Sequence, residues 1–184
     1  MSMKYKISSV FFPLKKIILY TVGVLIIACE PSLRHVNEIQ ENEDQIYALN
    51  GKVLRVVDGD TAEMLYNNEL PLMIRFEHID APEIRGNQPY GIEAKQVLEE
   101  LCLGQEVTLI TRAEFDMGGR IIGEIINANG INVNQEMVKK GYAWHFKKYS
   151  KNTTYATLEK EASQHNLGLW RLESPMAPWD FRKR

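Results

Sequence analysis

Residues 51–83 read GKVLRVVDGDTAEMLYNNELPLMIRFEHIDAPE, and the fold is decided inside this stretch. Lys52 to Val57 alternates weakly and is rich in valine, which predicts a strand ending at the Asp58-Gly59 turn. Ala62 to Tyr66 and Pro71 to Glu77 read as two further strands, joined through Asn67-Asn68, a hairpin signal. In the third strand Leu72, Ile74 and Phe76 share one face while Met73, Arg75 and Glu77 share the other. Arg75 therefore leaves the strand away from the packed side. Pro82 biases Ala81 towards extended backbone, so Asp80 to Glu83 is expected to be a loop.

Further along, Pro89 opens an expected helix running to Leu103, with Ile92, Val97, Leu98, Leu101 and Cys102 on one side and Gly104 as its stop. Val107 to Thr111 and Ile121 to Ile126 read as strands. Asn132 to Lys140 reads as a short helix stopped by Gly141. Thr153 to Asn166 reads as another, with Tyr155, Leu158 and Ala162 at helical spacing and Gly168 at its end. The expected class is mainly β with helices: a five-stranded barrel of the oligonucleotide-binding kind plus three α-helices.

The N-terminal portion has a different character. Lys4, Lys6, Lys15 and Lys16 precede an apolar run from Ile17 to Ala28, and no acidic residue occurs before Glu30. The run is too short to span a bilayer, which takes ~20 residues, but it suits the apolar region of an export signal. It ends Leu25-Ile26-Ile27-Ala28-Cys29, which resembles a bacterial lipoprotein cleavage box with Cys29 as the lipid-modified residue. Residues 1–28 are thus expected to be a signal peptide of lipoprotein type, with an uncleaved anchor as the alternative. Residues 29–46 are polar and charged and would form a flexible tether, reaching roughly 20–25 Å as a coil. Residues 47–184 are long enough for one domain with a full core. The expected location is the bacterial cell envelope, through a lipid anchor in the membrane or by secretion. With two cysteines and Cys29 consumed, no disulfide framework exists, and Cys102 is expected as a buried thiol.

Charge gives no global footprint for a polyanion partner. The chain carries a net charge of −2, and from residue 50 onward 17 Lys and Arg stand against 19 Asp and Glu. Positive charge is local instead, with Lys139, Lys140, Lys147, Lys148 and Lys151 close in sequence.

The chemistry concentrates in the opening stretch. Asp58, Asp60 and Asp80 are hard oxygen donors in or beside turns, and carboxylates held close repel unless a cation lies between them. A few carboxylates with carbonyls and waters suit Ca²⁺. Zinc is disfavoured, because no Cys or His lies at ligand spacing, and a lone His78 near Asp80 reads as structural. Glu83 follows a candidate ligand and is a plausible base for an attacking water. Arg75 and Arg120, the latter on the Asp116-Met117-Gly118-Gly119 turn, offer two-pronged donors for phosphate oxygens. Trp144, Tyr142 and Tyr149 could stack on bases, whereas Trp170 and Trp179 read as packing residues.

Val57-Asp58-Gly59-Asp60-Thr61, Arg75, Ile79-Asp80-Ala81-Pro82-Glu83, Pro89-Tyr90-Gly91-Ile92-Glu93-Ala94, Gly119-Arg120, Val133-Asn134, Gly141-Tyr142-Ala143-Trp144, Lys147-Lys148-Tyr149-Ser150 and Gly168-Leu169-Trp170 follow one another in an order that resembles the staphylococcal nuclease family. The resemblance runs from about Gly51 to Trp179. It implies Ca²⁺-dependent cleavage of DNA and RNA, leaving 3′-phosphate products. Position by position, it implies that Asp60, Asp80 and the Ala81 carbonyl hold calcium, with Asp58 and Thr61 supporting them. Glu83 would activate water, and Arg75 and Arg120 would grip the scissile phosphate. Trp144, Lys147, Lys148 and Tyr149 would contact nucleic acid, with single strands preferred, and a monomer is expected. Ala81 stands where the founding member has Thr, while Met117 and Gly118 replace a Lys-Tyr pair and Lys147 replaces a Tyr that contact nucleotide there. The rivals are a catalytically inactive envelope lipoprotein of the same fold that only binds nucleic acid or protein, and a scaffold whose acidic loops bind calcium structurally.

Overall fold

The computed structural model describes residues 45–184, so the signal segment, Cys29 and all but the last two residues of the expected tether lie outside it. Chain order begins with β1 (Tyr47–Asp58), β2 (Thr61–Tyr66), β3 (Leu70–Phe76) and a two-residue β4 (Ile79–Asp80). It continues with α1 (Gly91–Cys102), β5 (Glu106–Thr111), β6 (Ile121–Ile126), α2 (Val133–Lys139), β7 (Trp144–His145) and α3 (Thr153–Gln164). A 3₁₀ turn at Gly168–Arg171 and a four-residue α4 (Pro178–Phe181) follow.

Five strands close into a barrel in the order β1-β2-β3-β6-β5, the expected architecture. β1 does most of the closing: residues 51–58 pair with β2 and residues 47–52 with β5. Two register shifts, at Val53/Arg55 and Val56/Asp58, bend it between these partners. The β2–β3 hairpin turns at Asn67 and Asn68, both at positive φ (50° and 60°), the backbone that Asn tolerates. β3 runs parallel to β6, the one parallel pair in an otherwise antiparallel barrel.

Apolar side chains of the strands, among them Val53, Val56, Met64, Ile74, Phe76, Leu109 and Ile125, share one core with Ala94, Leu98 and Cys102 of α1, Met137 and Val138 of α2, and Tyr155 of α3. α2 and α3 start as their sequences require, on Asn132 and Asn152, whose side-chain oxygens accept from the backbone N–H of Gln135 and Thr154.

Several expectations change. α1 begins at Gly91 instead of Pro89, because Tyr90 adopts φ 70°, outside the right-handed helix. Its buried row is Gly91, Ala94, Leu98 and Cys102, which leaves Ile92 exposed. The stretch after β3 is not simply a loop, since Ile79 and Asp80 pair with His145 and Trp144 in the β4–β7 ladder. Two helical turns, the 3₁₀ turn and α4, are added to the three expected helices.

Candidate active site

The turn between β1 and β2 sets the first carboxylates. Asp58 Oδ1 accepts from the Asp60 backbone N–H at 3.1 Å, tying the turn together. Gly59 sits so close to the neighbouring chain that a Cβ there would lie 2.6 Å from the Ala81 Cβ and 2.8 Å from the Ala94 Cβ. The glycine thus lets the acidic turn touch both the Asp80–Glu83 segment and α1. Asp60 closes the contact from its side, its Oδ2 accepting from the Ala81 N–H at 2.8 Å. In the β2–β3 register Thr61 lies opposite Arg75, which brings the arginine to the same end of the barrel.

Arg75 is held there through its two terminal nitrogens. Its Nη1 donates to the carbonyls of Phe76 (2.8 Å) and Ile79 (2.9 Å). Its Nη2 lies 3.2 Å from Asp60 Oδ2 and 3.1 Å from Asp80 Oδ1. Asp60 and Asp80 are only 7% and 2% exposed, so two buried carboxylates converge on a single guanidinium nitrogen. Burial, with further repulsion from Asp60, pushes the Asp58 carboxyl up to about 6. Burial also raises Asp80, against the hydrogen bonds that Arg182 gives it. Buried acids this close need positive partners, and Arg75 is one of them.

Glu83 reaches the rim. Its backbone N–H donates to Gln88 Oε1 at 2.9 Å, and the start of α1 packs directly on its backbone: a Cβ on Gly91 would lie 2.6 Å from the Glu83 carbonyl oxygen. The side chain is thus presented by a backbone held on both sides. Arg120 approaches from the β5–β6 connection. Asp116 Oδ1 accepts from the N–H groups of Gly118 (2.9 Å) and Arg120 (3.0 Å), closing the turn with Gly119 at φ 75°. Asp116 Oδ2 takes Arg120 Nη2 at 2.6 Å and Nε at 2.8 Å, and Arg120 Nη1 donates to Thr61 Oγ1 at 3.1 Å. Burial works to raise the Asp116 carboxyl, but the Arg120 hydrogen bonds outweigh it and hold the group below the usual range.

Among the described residues, no three His, Cys, Asp or Glu side chains converge closely enough to cage a metal by themselves. The donor set nonetheless fits a hard cation: Asp60 and Asp80 converge, and Ca²⁺ completes its six to eight ligands with carbonyl and water oxygens. The Ala81 N–H donates to Asp60, which holds that segment against the carboxylate.

Of the expected nucleic-acid residues, Trp144 adjoins the acidic site, since it pairs with Asp80 in the β4–β7 ladder. Trp144 packs on Trp170 (4.4 Å between centroids) and Trp179 (5.8 Å), and its Nε1 is enclosed without a partner. Trp144 is thus seated in a packing cluster. Tyr149 is 73% exposed, with Lys148 over its ring at 4.9 Å. Lys147 pairs with the buried carboxylate of Glu159, which also accepts from the His145 N–H. Met117 is fully exposed at the tip of the Asp116 turn. His78 packs on Tyr155 with centroids 4.8 Å apart and rings tilted by 50°.

The sequence reading missed one participant. Arg182 Nη2 donates to Asp80 Oδ2 at 2.7 Å, and its Nη1 to Glu83 Oε1 at 2.6 Å. These acids hold the guanidinium proton above its ordinary range, Asp80 first. The only local signal was the basic Arg182-Lys183-Arg184 end following Trp179-Asp180-Phe181.

The chain is similar to known nucleases. The family model described as staphylococcal nuclease homologue matches residues 73–172. An uncharacterized endonuclease of Escherichia coli is 38% identical over 136 residues, covering 74% of this chain and 86% of that protein. A micrococcal nuclease of Shigella flexneri is 36% identical over 143 residues, covering 72% of this chain and 80% of its own length. A staphylococcal-like nuclease of Arabidopsis thaliana is 40% identical over 110 residues, covering 60% of this chain but 33% of the plant protein.

Proposed function

That the chain belongs to the staphylococcal nuclease family is the premise from which we propose its reaction: Ca²⁺-dependent hydrolysis of phosphodiester bonds in DNA and RNA. The observation that carries the proposal is the convergence of buried Asp60 and Asp80 on one Arg75 nitrogen, at 3.2 and 3.1 Å, beside Glu83 and Arg120. An inactive binding module or a structural calcium site has no need of a base and two arginines at that place.

Asp60, Asp80 and the Ala81 carbonyl would hold the calcium, with Asp58 and Thr61 fixing the turn and the carboxylate that present them. When bound, Ca²⁺ supplies charge that stabilises the phosphoryl oxygens as negative charge builds on them. Glu83 takes the proton of the attacking water. The water oxygen forms a bond to phosphorus, the bond to the 5′ oxygen breaks, and that oxygen takes a proton from solvent, so a 3′-phosphate and a 5′-hydroxyl remain. Arg75 and Arg120 donate to the non-bridging oxygens, where a planar two-pronged donor outperforms a point charge. Arg120 is preset for this, since Asp116 and Thr61 hold its fork. The exposed Tyr149 ring, with Lys148 over it, offers an unstacked base a face and its backbone a cation, which supports a preference for single strands.

Export rests on the N-terminal sequence: the basic start, the apolar run and Ala28-Cys29 support a lipid-anchored envelope protein with a tether up to residue 46. Loss of detergent partitioning in Cys29→Ser would support it; identical partitioning of both proteins would overturn it.

The reaction is tested by Glu83→Gln in single-turnover cleavage. A general base is worth on the order of 10²–10⁴ in rate. The variant should lose that much while keeping its fold and its affinity for single strands. Cleavage at the wild-type rate would remove Glu83 from the mechanism.

A further inference from the structure

The reaction above leaves the contact of Arg182 with its acids without a role. Besides the 2.7 Å bond to Asp80 Oδ2, its Nη1 reaches Asp80 Oδ1 at 3.2 Å and Glu83 Oε1 at 2.6 Å. One guanidinium therefore covers both oxygens of an expected metal ligand and one oxygen of the expected base.

This placement is built by the tail. Pro178 is buried at the first position of α4. Trp179 stacks on Phe146 with centroids 5.4 Å apart and planes within 10°. Gln88, which receives the Glu83 N–H, donates through Nε2 to the Met176 carbonyl at 2.8 Å, so the same side chain ties the Glu83 segment to the tail. Gly86 meets the Phe181 ring, where a Cβ would lie 3.2 Å away. Lys183, next in sequence, pairs with Asp180 at 2.7 Å and takes no part in the site.

A calcium ion and this guanidinium compete for Asp80, because Arg182 lies on both of its oxygens where Arg75 touches one. A hard cation needs a carboxylate oxygen that Arg182 now holds, and two positive groups at that separation repel in a buried setting. We propose that Arg182 is a built-in counter-ion of the cation site, exchanged for Ca²⁺. In the metal-free protein Arg182 neutralises Asp80 and occupies Glu83. Calcium binding drives it from both and leaves the base free to take a proton. The inference rests on the calcium reading of the site, and it makes metal affinity depend on a residue that ligates no metal.

The test is calcium binding by full-chain protein, measured by titration calorimetry and by displacement of luminescent Tb³⁺, neither of which needs turnover. Arg182→Gln should bind Ca²⁺ about tenfold more tightly than wild type, the scale of losing one close, half-buried charge pair. Arg182→Lys should lie between them, since an ammonium can hold one carboxylate but not the fork. Lys183→Gln removes the same unit of charge from the same tail and should leave affinity unchanged. In wild type, calcium should also speed hydrogen exchange of the backbone N–H groups at 181–184; in Arg182→Gln it should not. If Arg182→Gln binds calcium no tighter than wild type, or more weakly, Arg182 is a fixed buttress and the exchange is refuted. If that happens while Asp80→Ala still abolishes binding, the calcium site itself stands. If wild type binds no calcium, both readings fall.

Discussion

Arg120 shows how much of this site is arranged before any substrate arrives. Its guanidinium is held by two bonds from Asp116 and one to Thr61, so its direction is set by the turn that carries it. Arg120→Lys keeps the charge but loses the fork. Rate should fall by at least about tenfold with little change in single-strand affinity, read as kcat against KM. Arg75→Lys should cost more, because it also strips the bonds to the Phe76 and Ile79 carbonyls; thermal melting should show the added loss. Cys102 is the opposite kind of residue. Burial pushes its thiol up to about 12, and it lies wholly inside the core. Iodoacetamide at pH 8 should leave Cys102 unmodified until denaturant unfolds the chain, as mass spectrometry would record. These residues were legible because each type states its own chemistry: a fork, a carboxylate, a thiol at an apolar helix position. Arg182 was not, because its partners lie 102 and 99 residues away and nothing local distinguishes it from a solvated basic end.

The elements matter here through close approach. Gly59 puts the β1–β2 turn against Ala81 and Ala94, and no side chain fits between them. Gly59→Ala should destabilise by ~1–3 kcal/mol, as overpacking does. It should also shift Asp60, so the urea midpoint and cleavage rate fall together. If stability drops but rate is untouched, the turn is not what positions the ligand. The β2–β3 hairpin and the faces of β3 could be read from alternation, since each pattern is local to its strand. The first half of β1 could not. Tyr47–Gly51 alternates poorly, and it is a strand because β5 pairs with it. The same holds for Ile79–Asp80, whose ladder partner lies 64 residues or more along the chain. Trp144, expected to stack on bases, packs on Trp170 and Trp179, contacts that no local pattern announces.

At the scale of the whole molecule, the chain carries a net charge of −2 and so offers a polyanion no overall attraction. Association with a polyanion must therefore rest on a few side chains such as Lys148 and on the arginines of the site. Single-strand affinity should fall as salt rises from about 50 to 200 mM, though less steeply than for proteins that neutralise many phosphates. A binding constant flat across that range would contradict this. Calcium should stabilise the fold by about 2.7 kcal/mol at a hundredfold excess over its dissociation constant, an effect that Asp80→Ala removes. The most direct measurement is cleavage of single-stranded DNA by the full chain in Ca²⁺, then in excess chelator, then with Ca²⁺ restored. Cleavage should stop in chelator and return with Ca²⁺, while Mg²⁺, which demands tight octahedral geometry, should restore little. Undiminished cleavage in excess chelator would contradict the account.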